Sequence, residues 1–491
     1  MPLILGAQSA VATGYSIENS CRFNDVGYLI RTPSSSGDPK TFTISCWLKR
    51  SNFGAVTADQ TICTSEKGSG YRYTYPFYLN GADDCMYAFG GTFDGGGPVI
   101  LDKKTVAVYR DSSAWFHYYF VYDTTESAAA DRIQLYINGT RITDAGAGGG
   151  YSPNTIPGLN EDSFFGNTTD PMSVAGGSGG GSPFDGYMAE FIFVDGSVPA
   201  VTEFGEFDED SPTIWKPKDP SEATITWGTN GLWLDFKDSA DLGNDVSGQG
   251  NDMTANSLAA VDQCTDSPTN NFCTLNTVTK SSYTDLSEGN TTAFGNNAGD
   301  NGNIASTLCP DAGKWYAECK FRTLVSGYPN AGVYQIKNAN FGKCENGGNA
   351  MPGYYADECN FASNGNLTVN NSTTGSWGST PSAGDIIQVA VDCDNGAVYI
   401  GINDTWQNSG DPESGGTRTG AAVTWTPGAS FVGTSFGGAN YNGSYADWNF
   451  GNPSFTLTSA VADGNGYGSF EYAPPSGYLA LCTKNLGSSG G

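Results

Sequence analysis

Apolar and polar residues alternate with period two through much of the chain. Residues 41–50 read TFTISCWLKR, with Phe42, Ile44, Cys46 and Leu48 on one face and Thr41, Thr43 and Ser45 on the other. This pattern predicts a half-buried strand. Residues 115–123 (WFHYYFVYD), 133–137 (IQLYI) and 184–196 (FDGYMAEFIFVDG) carry the same signal. IQLYI runs into Asn138-Gly139 and resumes with Thr140-Arg141-Ile142. That predicts a tight hairpin, because an Asn-Gly pair tolerates the positive φ of a two-residue turn. Further on, residues 314–321, 331–336, 385–392, 397–402 and 431–436 read as short strands. Trp47, Trp115, Trp315 and Trp448 lie in strands among apolar neighbours and are assigned to the core. The best helix candidate of the first half is 198–209, with Phe204 and Phe207 three apart and Thr202 as its cap. Acidic residues and then Pro212, Pro217 and Pro220 follow it and mark a domain boundary. Residues 145–150 and 176–182 are glycine-rich and read as surface loops. Residues 238–276 hold few apolar positions and read as loop-rich. Antiparallel strands joined by turns, with almost no helix, make this an all-β protein of sandwiches.

Composition narrows the functional classes. Glycine accounts for 67 of 491 residues, about twice the usual ~7%. Without a fixed period, that speaks for turns rather than collagen, and against helix. Lysine and arginine total 23 against 51 acidic residues, a net charge of -28. Nucleic-acid binding needs a basic footprint, and docking on an anionic membrane needs one too, so neither partner is expected. No run of about 18 apolar residues exists, so no membrane-inserted helix is expected. The first ten residues lack a basic region and a long apolar core and are not read as a secretory signal. His117 is the single histidine, which removes most zinc sites and every mechanism needing two imidazoles. Within an aromatic strand it reads as a packed or hydrogen-bonded residue. The twelve cysteines contain no CxxC pair, leaving core thiols and partial disulfide pairing as the two readings.

With these motifs in hand, the first half resembles a laminin-G-like module of the concanavalin A type. FTISCWLK, WFHYYFVYD, LYINGTRI and FDGYMAEFIFVDG occur in that order between residues 42 and 196. The second half resembles a SPRY-like module, also a concanavalin A-like sandwich. There the motifs are GKWYAECKF (313–321), GDIIQVAVDCDNGAVYIGIND (384–404) and WNFG (448–451). The whole chain resembles virion proteins of tailed bacteriophages, marine ones especially. MPLILGAQ, FGEFDEDSPTIWKPK, WLDFKDSADLGNDVSGQGND, DSPTNNFCTLN and PPSGYLALCTKNL carry that likeness.

The resemblance implies two concanavalin A-like antiparallel β sandwiches (jelly rolls) in tandem. Residues 1–210 form the laminin-G-like sandwich, 211–280 a linker with bridging strands, and 281–491 the SPRY-like sandwich. It implies a non-enzymatic protein on the virion surface, as tail fibre, appendage or capsid decoration. The expected partners are other virion proteins, further copies of itself in a homo-oligomer, and host-surface polysaccharide. The alternatives are a purely structural subunit and a glycan-cleaving enzyme. For the last, Glu206-Phe207-Asp208 supplies the start of an ExDxxE pattern, but Ser211 stands where its final carboxylate belongs.

Glycan binding needs aromatic rings beside polar side chains. Tyr71, Tyr73 and Tyr75 alternate in YRYTYPFY and are expected on one strand face. Tyr354, Tyr355, Trp377, Trp406, Tyr441 and Tyr445 lie in polar, glycine-rich loops of the second module. Calcium is the one cofactor considered, since acidic loops supply oxygen ligands. Its candidate ligands are Asp123, Asp144 and Asp185 in the first module and Asp392 and Asp394 in the second. No EF-hand spacing is present, and solvated acidic loops are the competing reading.

Overall fold

A computed structural model describes residues 14–53, 59–67, 72–92, 98–144, 150–177, 180–297, 301–341, 351–428 and 433–489. These residues form two compact units, divided between Thr269 and Asn270. Among them no helix is long and apolar enough to cross a membrane.

The N-terminal unit opens with strands β1 (Ser20–Asn24), β2 (Tyr28–Arg31), β3 (Thr41–Arg50), β4 (Gln60–Lys67), β5 (Arg72–Leu79) and β6 (Cys85–Thr92). It continues with β7 (Val99–Val108), β8 (Phe116–Asp123), β9 (Ile133–Ile137), β10 (Thr140–Arg141), β11 (Tyr151–Thr155) and β12 (Met172–Val174). The remainder are β13 (Asp185–Asp195), β14 (Gly205–Phe207), β15 (Trp215–Pro217), β16 (Leu232–Leu234), β17 (Thr254–Asn256) and β18 (Gln263–Cys264). One sheet runs β10-β9-β8-β3-β13-β1-β18, and the other β11-β7-β6-β5-β4-β12-β2-β17. The alternation of β3 aims Phe42, Ile44, Cys46 and Leu48 into the space between the sheets. There they meet Leu79, Met86 and Leu101 from the second sheet. Phe42 stacks on Phe165 at 4.7 Å and on Tyr122 at 5.1 Å. Burying each such side chain contributes about 1.5–3 kcal/mol, which is why this face stays closed.

β13 contains a bulge. Ala189 pairs with Trp47 and Ile192 with Ser45, so one extra residue sits in β13. Glu190 occupies the bulge with φ of 49°. The insertion re-phases the strand, so that Met188 and Phe191, three apart, both reach the core.

Two expectations are revised here. Residues 198–209 do not form a helix. A single 3₁₀ turn, Val201–Glu203, leads into the β14–β15 hairpin. The cause is Trp215, which lies beside Phe207 at 5.0 Å and stacks on His117 at 6.0 Å. A Cβ on Gly205 would come within 2.5 Å of its ring, so only glycine lets the backbone lie there. Tertiary packing thus overrides the helical spacing of two phenylalanines. The bridging strands expected within residues 211–280 are present, but the division between the units lies at 269/270 rather than near 210 and 281. β16, β17 and β18 pair with β13, β2 and β1 and complete the N-terminal sheets. From Asn270 onward the chain belongs to the C-terminal unit, where Leu275 bridges Ser306. β16 lies within residues 227–236, which read as strand, whereas β17 and β18 fall in the stretch that reads as loop, where aspartates organise the chain. Asp245 alone accepts the backbone N–H groups of Trp233, Ser247 and Asn251.

The C-terminal unit starts with β19 (Thr284–Ser287), β20 (Thr292–Gly295), β21 (Gly302–Ala305), β22 (Lys314–Thr323) and β23 (Asn330–Gln335). It goes on with β24 (Cys359–Ala362), β25 (Leu367–Val369), β26 (Ser372–Thr374), β27 (Ile386–Asp392) and β28 (Ala397–Ile402). Next come β29 (Thr405–Trp406), β30 (Val423–Thr424), β31 (Thr434–Asn440), β32 (Tyr445–Asn449) and β33 (Leu479–Ala480). The sheets run β19-β20-β32-β22-β27-β28-β29 and β21-β31-β23-β24-β25-β26. Trp315 and Trp448 are buried between them with Val333, Phe361 and Phe436. The protein is all-β, and each unit is a sandwich of antiparallel sheets. Eleven of the twelve cysteines are buried free thiols, and Cys344 lies outside the described residues.

Candidate functional site

On the outer face of the second N-terminal sheet, four aromatic side chains meet across β5 and β6. Met86 and Ala88 point into the core, so Tyr87 and Phe89, which alternate with them, point outward. Tyr75 pairs with Phe89, Tyr78 pairs with Tyr87, and a bulge lies between the two pairs. That extra residue puts Tyr75 and Tyr78 on one face although they are three apart. Ring centroids follow one another at 5.8 Å (Tyr75–Tyr78), 4.9 Å (Tyr78–Tyr87) and 5.6 Å (Tyr87–Phe89). All four rings are half-buried.

Carboxylates flank the row. Tyr75 donates its hydroxyl to Glu66 Oε2 at 2.6 Å, and Tyr87 donates to Asp102 Oδ1 at 2.5 Å. Asn80 donates to Asp59 Oδ1 at 3.2 Å, and both belong to the surroundings of the Tyr78 hydroxyl. Burial, reinforced by these acids, pushes the Tyr78 and Tyr87 hydroxyls well above the usual phenol range. The phenols therefore stay protonated, as hydroxyl donors on an aromatic strip edged by acceptors.

The predicted residues fare differently. Tyr75 belongs to this row. Tyr71 lies outside the described residues; Tyr73 pairs with Glu66 and Gly91 through the backbone, and its side chain is not described. Tyr78, Tyr87 and Phe89 were missed. The alternation Met86-Tyr87-Ala88-Phe89 within CMYAFGGT was the signal available for two of them.

The candidate aromatics of the C-terminal unit do not form a comparable row, and two of them, Trp406 in β29 and Tyr445 in β32, lie in strands rather than in the loops expected. Tyr354 and Tyr355 meet each other edge to face at 5.3 Å. Trp377 packs on Phe361, and Trp406 packs against the cluster holding Tyr316 and Tyr399. Tyr441 stacks on Tyr328 at 5.5 Å. Tyr445 lies on Phe294 at 4.4 Å, with the Arg322 guanidinium 4.5 Å from its ring centre.

The acidic candidates are likewise dispersed. Asp123 caps the turn at Thr125, Asp144 accepts from Asn154, and Asp185 is buried in β13. Asp392 binds the N–H and amide of Asn395 and pairs with Lys314, while Asp394 accepts from Gly313. Among the described residues no three acidic, histidine or cysteine side chains cluster as metal ligands would.

His117 is fully buried. Trp215 Nε1 donates to its Nδ1 at 3.2 Å, which leaves Nε2 as the protonated nitrogen facing Ser45 Oγ at 2.8 Å. Burial lowers its pKa to about 3, so the ring is neutral and fixed. Glu206 is half-exposed on β14, where Lys216 bridges it at 3.4 Å and Asp208 at 3.5 Å. Trp115, assigned to the core from sequence, is only half-buried, and its Nε1 donates to Asp266 at 2.9 Å.

Residues 25–200 match a family model described as the concanavalin A-like lectin/glucanases superfamily. No curated protein matches the chain. Among solved structures, a Bacteroides ovatus protein provisionally described as carbohydrate-binding aligns at 17% identity with a TM-score of 0.30. That alignment covers 50% of this chain and 61% of that protein's length. A heptameric pentraxin from Limulus polyphemus aligns at 11% identity and TM-score 0.26, over 40% of this chain and 82% of that one. The SPRY domain of human HERC1 aligns at 12% identity and TM-score 0.22, over 32% of this chain and 87% of that one.

Proposed function

We propose that the protein binds polysaccharide along the Tyr75–Tyr78–Tyr87–Phe89 row and does not cleave it. The observation that carries this reading is the row itself, on the outer face of a sandwich whose residues match the lectin/glucanase superfamily model. Sugar rings present flat C–H faces that pack on aromatic surfaces, while their hydroxyls bond to neighbouring carboxylates and phenols. A row of rings about one strand spacing apart suits successive units of a polymer. The biological setting we propose is the virion surface of a tailed bacteriophage, as tail fibre, appendage or capsid decoration. The phage-like motifs of the sequence support it, with self-association giving avidity to weak single sites. Host-surface polysaccharide is then the ligand.

The direct test is affinity electrophoresis of the full chain through gels containing host-surface polysaccharide. Retardation is expected for the native protein. Tyr78→Ala with Tyr87→Ala should weaken retention about tenfold, at roughly 0.5–1.5 kcal/mol for each ring lost. Unretarded migration of the native protein in every such gel would remove the reading. Polymer length after incubation should not change, and shortening that disappears in Glu206→Gln would instead favour an enzyme. Immunogold labelling of particles tests the surface position.

A further inference from the structure

We infer that the N-terminal unit carries a second carbohydrate site, a cleft at the sandwich edge that takes one pyranose ring at the end of a chain. The inference rests on the carbohydrate reading above, at a different place and for a different part of the ligand.

The chain crosses from one sheet to the other between β7 and β8. That crossing and the β9–β10 turn enclose a cleft of about 260 Å³, lined by Val108, Tyr109, Arg110, Trp115, Phe116 and Asn138 among others. Its volume lies just below the ~300 Å³ at which pockets for drug-sized ligands begin, so it has room for one ring rather than several. The walls are aromatic. Tyr109 and Phe116 stand 6.0 Å apart with planes 31° from parallel. Burial pushes the Tyr109 hydroxyl up to about 12, so it remains a donor. Val106 and Val108 are exposed at the end of β7, where this crossing begins.

The polar groups are those a ring of hydroxyls needs. Asn138 Oδ1 accepts the His117 N–H at 2.7 Å, so its amide nitrogen is the part left for a ligand. The Arg110 side chain is 52% exposed, while its Nε is held by Asp84 at 2.7 Å. Asp84 and the adjacent Asp111 offset its charge, which argues for a neutral ligand over an anion.

The walls are also held rigidly, from behind. Arg50 and Asp84, both fully buried, pair at 3.1 Å. Arg50 donates to the Tyr109 carbonyl, and the Asp84 carbonyl accepts the Tyr109 N–H at 3.0 Å. Lys49 and Asp266, also buried, pair at 2.8 Å, and Asp266 fixes the Trp115 indole. Buried ion pairs add little net stability. Here both pairs clamp the residues that line one cleft, which is what preorganised binding requires.

Saturation-transfer NMR on the full chain, with methyl glycosides of glucose, galactose, mannose, rhamnose and N-acetylglucosamine as probes, tests this. At least one glycoside should bind. Val108→Trp, at an exposed position, fills the cleft and should abolish the signal with the circular dichroism unchanged. Arg110→Gln should weaken binding about fivefold. Tyr78→Ala with Tyr87→Ala should leave the signal intact. If no glycoside binds, or Val108→Trp binds as well as the native protein, the cleft is not a sugar site. Should polysaccharide still be retained in that case, the aromatic row stands alone. If glycosides bind in the cleft but polymer is not retained, the row fails instead.

Discussion

The two units differ in how deeply the cations that pair with their buried carboxylates are themselves buried. In the N-terminal unit, Asp262, Asp266 and Asp84 face Arg22, Lys49 and Arg50, whose side chains are no more than 1% exposed. In the C-terminal unit, the buried acids Glu318 and Glu358 are held by neutral donors. Glu318 accepts from the Tyr316 hydroxyl, the Asn449 amide and the backbone N–H groups of Glu471 and Tyr472. Glu358 accepts from the Gln335 N–H and the amides of Asn338 and Asn340. The cations that pair with carboxylates there, Lys314, Arg322 and Lys337, keep a quarter to a half of their side chains in solvent. Two of these fully buried pairs, Arg50–Asp84 and Lys49–Asp266, stand behind the cleft, while Arg22 pairs with Asp262 elsewhere in the unit. Neutral bonding stands where a carboxylate gathers several loop segments around itself.

This contrast is open to breaking. Lys49→Met leaves Asp266 buried without its cation, and should cost about 3–5 kcal/mol in denaturant unfolding. Trp115 fluorescence should shift with it. A loss below about 1 kcal/mol would mean that the pair is ornamental.

Not every buried acid of the N-terminal unit has a cation: Asp195 and Asp245 accept from backbone and amide donors, and Glu190 is held by the Tyr15 hydroxyl and the Trp233 indole. Burial raises its pKa from 4.5 to about 7. An acid whose folded pKa is raised contributes its full stability below its unfolded pKa, and loses it as pH rises through the folded one. Between pH 4.5 and about 7 Glu190 should therefore remove about 3 kcal/mol. His117 runs the other way: its folded value of about 3 means stability is lost as pH falls below its ordinary 6.5. Unfolding of Glu190→Gln and the native chain across this range isolates the Glu190 slope as their difference.

Glu318→Gln should cost about 1–3 kcal/mol at low pH, since the amide brings two N–H groups among four donors where the protonated carboxyl has one O–H. Burial raises the native Glu318 pKa, so the penalty of the substitution should shrink as pH rises above the ordinary carboxylate range. Hydrogen exchange of the Glu471 and Tyr472 amides in the full chain reads this locally. The smallest effect belongs to binding. Tyr441→Ala, in its separate stack with Tyr328, should leave polysaccharide retention within about twofold of native, against the larger loss expected for Tyr87→Ala.

Much of the fold is readable in residue order, because core-facing apolar residues recur with period two even in central strands whose two faces are both buried. β3, β8, β13, β27 and β28 all follow local alternation, and Gly139 and Gly396 take the positive φ their turns require. What escapes is non-local. The β14–β15 hairpin depends on Trp215 reaching His117, 98 residues away. β17 and β18 hold few apolar residues of their own and find their partners far upstream. The candidate site divides in the same way. Tyr75 stands out by alternation, but Tyr78 shares its face only because of a bulge that no local pattern announces. Trp115 reads as core from its neighbours, and only the bond to Asp266 shows it standing at an edge.

The buried thiols turn the molecule into its own timer. Five described cysteines lie in the N-terminal unit and six in the C-terminal unit, all shielded from solvent. Burial drives Cys309, Cys359 and Cys482 up to about 12, so scarcely any nucleophilic thiolate exists while the fold is closed. An added alkylating reagent therefore reports opening rather than surface chemistry. Mapping which thiols are modified, and how fast, would rank the stability of the cysteine-bearing segments of both sandwiches within one sample of unaltered protein.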